Sequence, residues 1–340
     1  MPNQKNRPIE GDIIKDSNGI LFDVKGLVHP PNKIIAFPRF IPDPGGDRKQ
    51  DVAYKKIYNI SKRFKFLERH FPHYVVYDSV FDEKFCEVPI ESVKQYYQPN
   101  NRLKELRHNK KLDFLEKDAL GLLKLLKAYS NMPWNKMGLS GSILVKLHKL
   151  DSDIDPIVYG SKNCLRAYSA LESLLEDADE PFRPYTREDL KVLFAFRSKD
   201  TIMSFEDFVR AESRKVLQGK FRNRDYFIRF VKDWNEIDEK YGEIQYKNVG
   251  YARVKAIVED DTEAIFTPCA YKIKDLEILD GIHFPIEEIV SFRGRFCEQA
   301  RNNEAIIAQG KVEKVSSDKL KREYFRLLLG NKPSDYMILA

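Results

Sequence analysis

The 340-residue chain carries 58 basic against 52 acidic residues, a formal charge of +6, with 42% hydrophobic and 32% charged positions. That balance excludes disordered and fibrous classes, and the length exceeds what one ordinary core fills, so two or three folding units are expected. The first ten residues lack the apolar stretch of a secretory signal, and no later window is apolar for long enough to span a membrane. The expectation is a cytoplasmic protein with no membrane partner. Cys86, Cys164, Cys269 and Cys297 are too scattered for a zinc pattern or a disulfide scaffold and read as buried small hydrophobes.

Residues 11–41 predict a β-meander, with a turn at Asn18-Gly19 and a break at Pro30-Pro31. Residues 242–271 share that grammar: with one gap, Gly11 aligns with Gly242, Gly19 with Gly250, Ile35 with Ile265 and Pro38 with Pro268, a weak internal repeat. Helical spacing appears around 53–69 and strongly over 112–130, where Leu115, Leu122 and Leu126 mark an apolar face that Asn131-Met132-Pro133 ends. Before that helix, Arg102, Lys104, Arg107, Lys110 and Lys111 form the densest basic run, either a solvated helix face or a track for a nucleic-acid backbone.

From 161 the pattern is helical again, with Ser161 as N-cap, and a charged, mostly helical stretch follows over 186–220. Tyr226–Val231 reads as a strand on which Asp225, Phe227 and Arg229 share a face. The remainder predicts β-structure over 287–315 and a short helix near 317–329.

The chemistry concentrates in Met137-Gly138-Leu139-Ser140-Gly141-Ser142 and, beyond a short helix expected to run about two turns, Asp151-Ser152-Asp153-Ile154-Asp155-Pro156. Gly141 and Ser142 stand where a loop enters that helix, offering backbone N–H groups, a hydroxyl and close approach to an anion. Asp153 and Asp155 open an apolar strand two residues apart, so both carboxylates face one side, a clamp suited to Mg²⁺ or Mn²⁺. The triple Asp151, Asp153, Asp155 imitates the start of an EF-hand loop, but Pro156 stands where that loop needs glycine and Lys162 where it needs glutamate. No Walker phosphate loop, nucleophile elbow or dinucleotide fingerprint appears.

Gly-Ser followed about ten residues later by Asp-x-Asp resembles the DNA polymerase beta superfamily of nucleotidyltransferases, the motif covering residues 138–160. More loosely, most of the chain looks like a little-characterised group of predicted archaeal nucleotidyltransferases. The resemblance implies an α+β fold: a nucleotidyltransferase-like mixed sheet with flanking helices over 101–235, a β-rich N-terminal region with a helix over 1–100, and a β-rich C-terminal region over 236–340. It implies transfer of a nucleoside monophosphate from a nucleoside triphosphate to a hydroxyl, with Asp153 and Asp155 on Mg²⁺ and with Gly141 and Ser142 at the triphosphate. Lys146 and Arg229 are candidates to neutralise phosphate charge, although surface and packing roles are open to both. The third carboxylate such enzymes carry on a later strand has Asp225 as its first candidate, ahead of Asp233, Glu243 or no third acid at all. Pro156 departs from the family's usual aliphatic residue. The acceptor stays open among an RNA end, a protein hydroxyl and a small molecule, and a non-catalytic nucleic-acid-binding protein on the same scaffold is the alternative. The sequence says nothing of oligomeric state.

Overall fold

The computed structural model describes residues 7–317, 319 and 321–340. The chain forms an α+β protein of two compact units, the first from 1–77, 84–183 and 217–238, the second from 78–83, 184–216 and 239–340. The N-terminal β-region and the motif-bearing core, expected as separate regions, thus share unit 1. The helical stretch expected as an insertion in that core belongs with the C-terminal β-structure in unit 2.

Unit 1 opens with the meander β1 (Ile13–Asp16), β2 (Leu21–Val24) and β3 (Lys33–Pro42). Its first turn holds because Gly19 takes φ +81° while Asp16 Oδ1 accepts the amides of Asn18 and Ile20 at 3.0 and 2.8 Å. The chain continues through β4 (Arg48–Lys49) and β5 (Ala53–Lys56) before α1 (Ile60–His70). The helix expected from residue 53 starts later because Tyr54–Lys56 pair with Pro42–Phe40 of β3 instead. With β6 (Val75–Asp78), β7 (Glu83–Pro89) and β8 (Val93–Tyr97) these strands make an eight-stranded sheet whose main path runs β4-β5-β3-β2-β1-β8.

The core follows as α2 (Pro99–His108), α3 (Phe114–Ser130), β9 (Met137–Leu139), α4 (Gly141–Leu144), β10 (Pro156–Tyr159) and α5 (Ser161–Glu176). The predicted apolar helix is α3: Asp113 and Glu116 form a capping box at its start, Asn131 closes it in the left-handed conformation, and Leu115, Leu122, Leu123 and Leu126 are buried. Arg102, in the basic run, is not a solvated side chain. It is buried on α2, where its guanidinium binds Glu116 and donates to the Ile143 carbonyl at 3.0 Å.

The unit ends with β11 (Phe182–Arg183), β12 (Gln218–Phe221), β13 (Arg224–Phe227) and β14 (Arg229–Val231). The single strand expected over 226–231 is therefore two: β13 pairs antiparallel with β12, whereas β14 runs parallel to β10, and the Ile228 amide leaves the ladder to bond the Leu217 carbonyl at 2.8 Å. Strand order in the small core sheet is β14-β10-β9.

Unit 2 holds α6 (Arg187–Arg197), α7 (Phe205–Glu212) and β15 (Ile244–Asp260), β16 (Cys269–Gly281), β17 (Ile286–Ser291), β18 (Ala305–Ser317), β19 (Arg322–Leu329) and β20 (Tyr336–Leu339). Five strands close on themselves in the order β15-β16-β17-β19-β18-β15, with β17 and β19 parallel and the other pairings antiparallel. This is the connectivity of an OB-type barrel. The helix expected near 317–329 is strand β19 over its described part beyond 321, because those residues complete the barrel between β17 and β18; residues 318 and 320 lie outside the described residues. The proposed repeat has no structural counterpart. Gly19 sits in a hairpin turn, whereas Gly250 (φ +138°) lies at a bulge inside the continuous strand β15.

All four cysteines are buried and free. Among the described residues, no helix is long and apolar enough to cross a membrane.

Candidate active site

The Gly-Ser segment turns directly off β9. Ser140 donates its amide to the Asp155 carbonyl at 2.8 Å and its hydroxyl to the Gly11 carbonyl at 2.6 Å, tying the turn to both β10 and the N-terminal sheet. Gly141 has φ +61°, and a Cβ built there falls 1.9 Å from Asp155 Oδ2 and 2.8 Å from its Cγ. The carboxylate of Asp155 therefore lies against the glycine backbone in space only an absent side chain leaves. The helix that follows is one turn long, not two, so no macrodipole contributes; an anion here meets local groups. One of them is notable: Ser142 is buried, and its Oγ has no hydrogen-bond partner among the described residues.

Between the two aspartates, Ile154 is fully buried and bridges in parallel to buried Tyr226, its amide bonding the Asp225 carbonyl at 2.9 Å and its carbonyl the Phe227 amide at 3.1 Å. Extended backbone at this point turns Asp153 and Asp155 to the side opposite Ile154. Asp153 is exposed and Asp155 half-buried. Burial and then the Asp153 charge push the Asp155 carboxyl up to about 6, against the pull of Lys56, Arg229 and Arg39.

Those three cations define the rest of the site, and two of them come from the N-terminal sheet. Lys56 ends β5, half-buried, its ammonium 4.7 Å from the Tyr58 ring centre; burial and Arg39 hold its pKa below the usual lysine range, while Asp153 and Asp155 oppose that shift. Arg39 lies on β3 with its Nε 3.6 Å from Asp23. Arg229, on β14, reaches Glu10 at 3.2 Å, and Lys25 reaches the same carboxylate at 2.7 Å. Burial alone would raise Asp23, but Arg39, Lys25, Arg63 and Arg229 outweigh it and hold its carboxyl low. Five cations (Lys25, Arg39, Lys56, Arg63, Arg229) thus meet four carboxylates (Glu10, Asp23, Asp153, Asp155).

Packing explains how a β-sheet delivers these groups. Ile13, Leu21, Phe40 and Tyr54 share a core cluster with Leu144, Val145 and Leu147, and Ile9 packs with Ile157, Tyr159 and Val231. Arg48 and Gln50 clamp the segment after α4 by donating to the carbonyls of Leu147 and Val145 at 2.6 and 2.5 Å. The sequence signal for the missed cations is faint but present: Arg39 interrupts the otherwise apolar run Ile-Ile-Ala-Phe-Pro-Arg-Phe-Ile.

The other sequence-derived candidates stand apart from this cluster. Lys146, in the left-handed conformation, is exposed and pairs with Glu105 at 3.5 Å. Asp225 is 54% exposed and holds Lys220 at 2.9 Å, and it is not among the principal charges acting on Asp155. Asp233 caps the turn at Trp234 and binds Lys136, and Glu243 belongs to unit 2. A second group with metal-ligand chemistry, Asp113, Glu116 and His148, is explained by structure: both acids form the α3 capping box, Glu116 also binds Arg102, and His148 Nε2 lies 2.7 Å from Asp113.

The residues present suit a hard divalent ion beside a phosphate group. Two carboxylates match the small protein ligand count Mg²⁺ takes, the missing side chain at Gly141 makes room for one of them, and an unpartnered hydroxyl and several cations stand in the same unit. Fold and site together define a two-unit α+β protein whose first unit sets an aspartate pair against a glycine turn. The chain belongs to the family of the uncharacterized protein MJ1086 of Methanocaldococcus jannaschii, with which it is 34% identical over 329 residues, 94% of either chain. No family model matches the chain, and no solved structure matches it.

Proposed function

We propose that unit 1 is a metal-dependent nucleotidyltransferase core with a nucleotidyltransferase-like sheet, β14-β10-β9, at its centre. The observation that carries this reading is the Asp155 carboxylate lying on Gly141, with Asp153 close enough to raise its pKa. Asp153 and Asp155 hold Mg²⁺ or Mn²⁺, which when bound neutralises triphosphate charge and favours the attacking hydroxyl. Gly141 makes room for the Asp155 carboxylate at the phosphate-facing turn, Ser142 Oγ donates to a phosphate oxygen, and Lys56, Arg39 and Arg229 balance the remaining charge. The acceptor oxygen bonds to the α-phosphorus as the bond to the β-phosphate breaks, its proton leaves to a base, and pyrophosphate departs.

One observation favours the non-catalytic alternative, a nucleic-acid-binding protein on this scaffold. The expected third carboxylate, Asp225, is engaged with Lys220, and Glu10 and Asp23, which share cations with the site, are each engaged by them. Either way a polyanionic partner suits unit 1, which holds 35 basic against 26 acidic residues, better than unit 2, with 23 against 26. Incubation with each labelled nucleoside triphosphate, Mg²⁺ or Mn²⁺ and RNA, protein or small-molecule hydroxyls tests the proposal. Label transferred by wild type and abolished by Asp153→Asn supports catalysis; RNA retained without transfer supports the alternative.

A further inference from the structure

Helix α2 has two unlike faces. The inner one is fixed to the Gly-Ser turn: buried Arg102 donates Nε to the Ile143 carbonyl of α4 at 3.0 Å, and Gly138 of β9 comes so close that a Cβ there would fall 2.5 Å from Pro99 Cβ. Leu103 and Leu106 are buried on that side, so the helical period turns Lys104 and Arg107 outward, where both are exposed. Lys110 and Lys111, just past the helix end, are exposed as well. Among the described residues none of these four cations is paired with a carboxylate. The neighbouring acids are engaged elsewhere: Glu105 holds Arg102 at 3.0 Å and Lys146 at 3.5 Å, and Asp113 caps α3 and lies 2.7 Å from His148.

Arg107 also has an aromatic partner. Its guanidinium carbon lies 4.2 Å from the centre of the Trp134 ring, and half-buried Trp134 opens the turn that leads through β9 to Gly141. A guanidinium laid on an indole is ordered before any ligand arrives, and it offers a flat surface together with N–H donors for phosphate. An unpaired base stacks on such a surface, whereas a duplex keeps its base faces covered and an acidic polypeptide has none to offer.

We infer that the outer face of α2, with Lys110, Lys111 and Trp134, binds a single-stranded nucleic acid. The four cations meet its phosphates, and Arg107 on Trp134 stacks a base. Lys146, which follows α4 and reaches Glu105 on α2, continues the positive surface toward the Gly-Ser turn. The inference rests on the transferase reading of unit 1 only in making this strand the acceptor; binding itself requires neither metal nor triphosphate.

The test is titration of the full chain with an oligouridylate of about 12 nucleotides, in EDTA and without triphosphate. Fluorescence is read in Trp234→Phe, where Trp134 is the sole tryptophan. Saturable quenching is expected, with affinity falling against salt at a log–log slope of roughly −3, as four phosphate contacts on a single strand require. Arg107→Gln is expected to weaken binding about 10–100-fold, and the double variant Lys110→Gln/Lys111→Gln to bring the slope to about −1.4. All three side chains are exposed, so unfolding midpoints should stay at the wild-type value. Deoxyuridylate bound alike extends the site to DNA, and RNA bound alone confines it to RNA. Asp153→Asn keeps the binding. Strand binding without nucleotidyl transfer overturns the catalytic reading and leaves this inference; transfer without quenching at Trp134 does the reverse. Wild-type affinity in Arg107→Gln, or equal binding of duplex RNA or of polyglutamate, also overturns the inference.

Discussion

Gly141→Ala is the most informative single substitution, because it adds one methyl group at the point where the two halves of the motif meet. The new Cβ would lie 1.9 Å from Asp155 Oδ2, and the φ of +61° is one that alanine adopts at a cost. Left-handed backbone costs a non-glycine residue about 1–2 kcal/mol. The contact demands that the carboxylate retreat by roughly 1 Å, and because the Asp155 carbonyl is fixed by the Ser140 amide at 2.8 Å, the movement falls on the side chain, at about 0.5–1.5 kcal/mol off its rotamer. A destabilisation of about 2–3 kcal/mol follows, with a metal affinity lower by about 10–100-fold, as for other changes that misorient a ligand. Urea unfolding and Mn²⁺ titration measure the two effects. Gly242→Ala is the control, since Gly242 has φ +87° but nothing within 4 Å of its would-be Cβ, so it carries the backbone strain alone and leaves Mn²⁺ affinity unchanged. Were Gly141→Ala to bind Mn²⁺ like wild type and to lose no more stability than Gly242→Ala, Asp155 would not lie on the glycine and the site would be misread.

Ser142→Ala removes a buried hydroxyl that has no partner among the described residues, so stability is expected to hold or to rise by about 1 kcal/mol while nucleoside triphosphate binding weakens about tenfold; calorimetry against urea unfolding separates the two. Lys56→Ala, at a residue with no salt bridge among the described ones, is expected to weaken triphosphate binding by about 10–100-fold with little change in unfolding midpoint, measured by the same titration. Asp12 is pushed up to about 7 by burial, with Glu10 adding to the shift against hydrogen bonds from Tyr96 and Ile9. Its folded pKa lies above the unfolded value of about 3.9, so its contribution to stability is complete below about pH 4 and is lost as pH rises through about 7, on the order of 4 kcal/mol in all. Asp12→Asn is expected to flatten that decline and to exceed wild type in stability at pH 8, as urea unfolding at pH 5 and pH 8 would reveal.

Local chemistry wrote part of this protein directly. The Asn18-Gly19 turn, the apolar face and Asp113 cap of α3, the stop at Asn131 and the alternation that turns Asp153 and Asp155 to one side all follow from residues within a few positions of one another, where dihedral preference and side-chain period act. Tertiary structure decided what no local pattern holds. Residues 322–329 have helical spacing yet complete a barrel, because pairing with both β17 and β18 outweighs propensity. The run 225–231 breaks at Ile228 because its halves pair with different strands, and that break leaves Asp225 with Lys220 while Arg229 turns toward Glu10. Lys56 and Arg39 lie about a hundred residues before the aspartates they influence. Only the burial of Phe40, Tyr54 and Ile13 against Leu144 and Val145 brings those charges within reach, since electrostatic coupling depends on distance in space and the sequence records only distance along the chain.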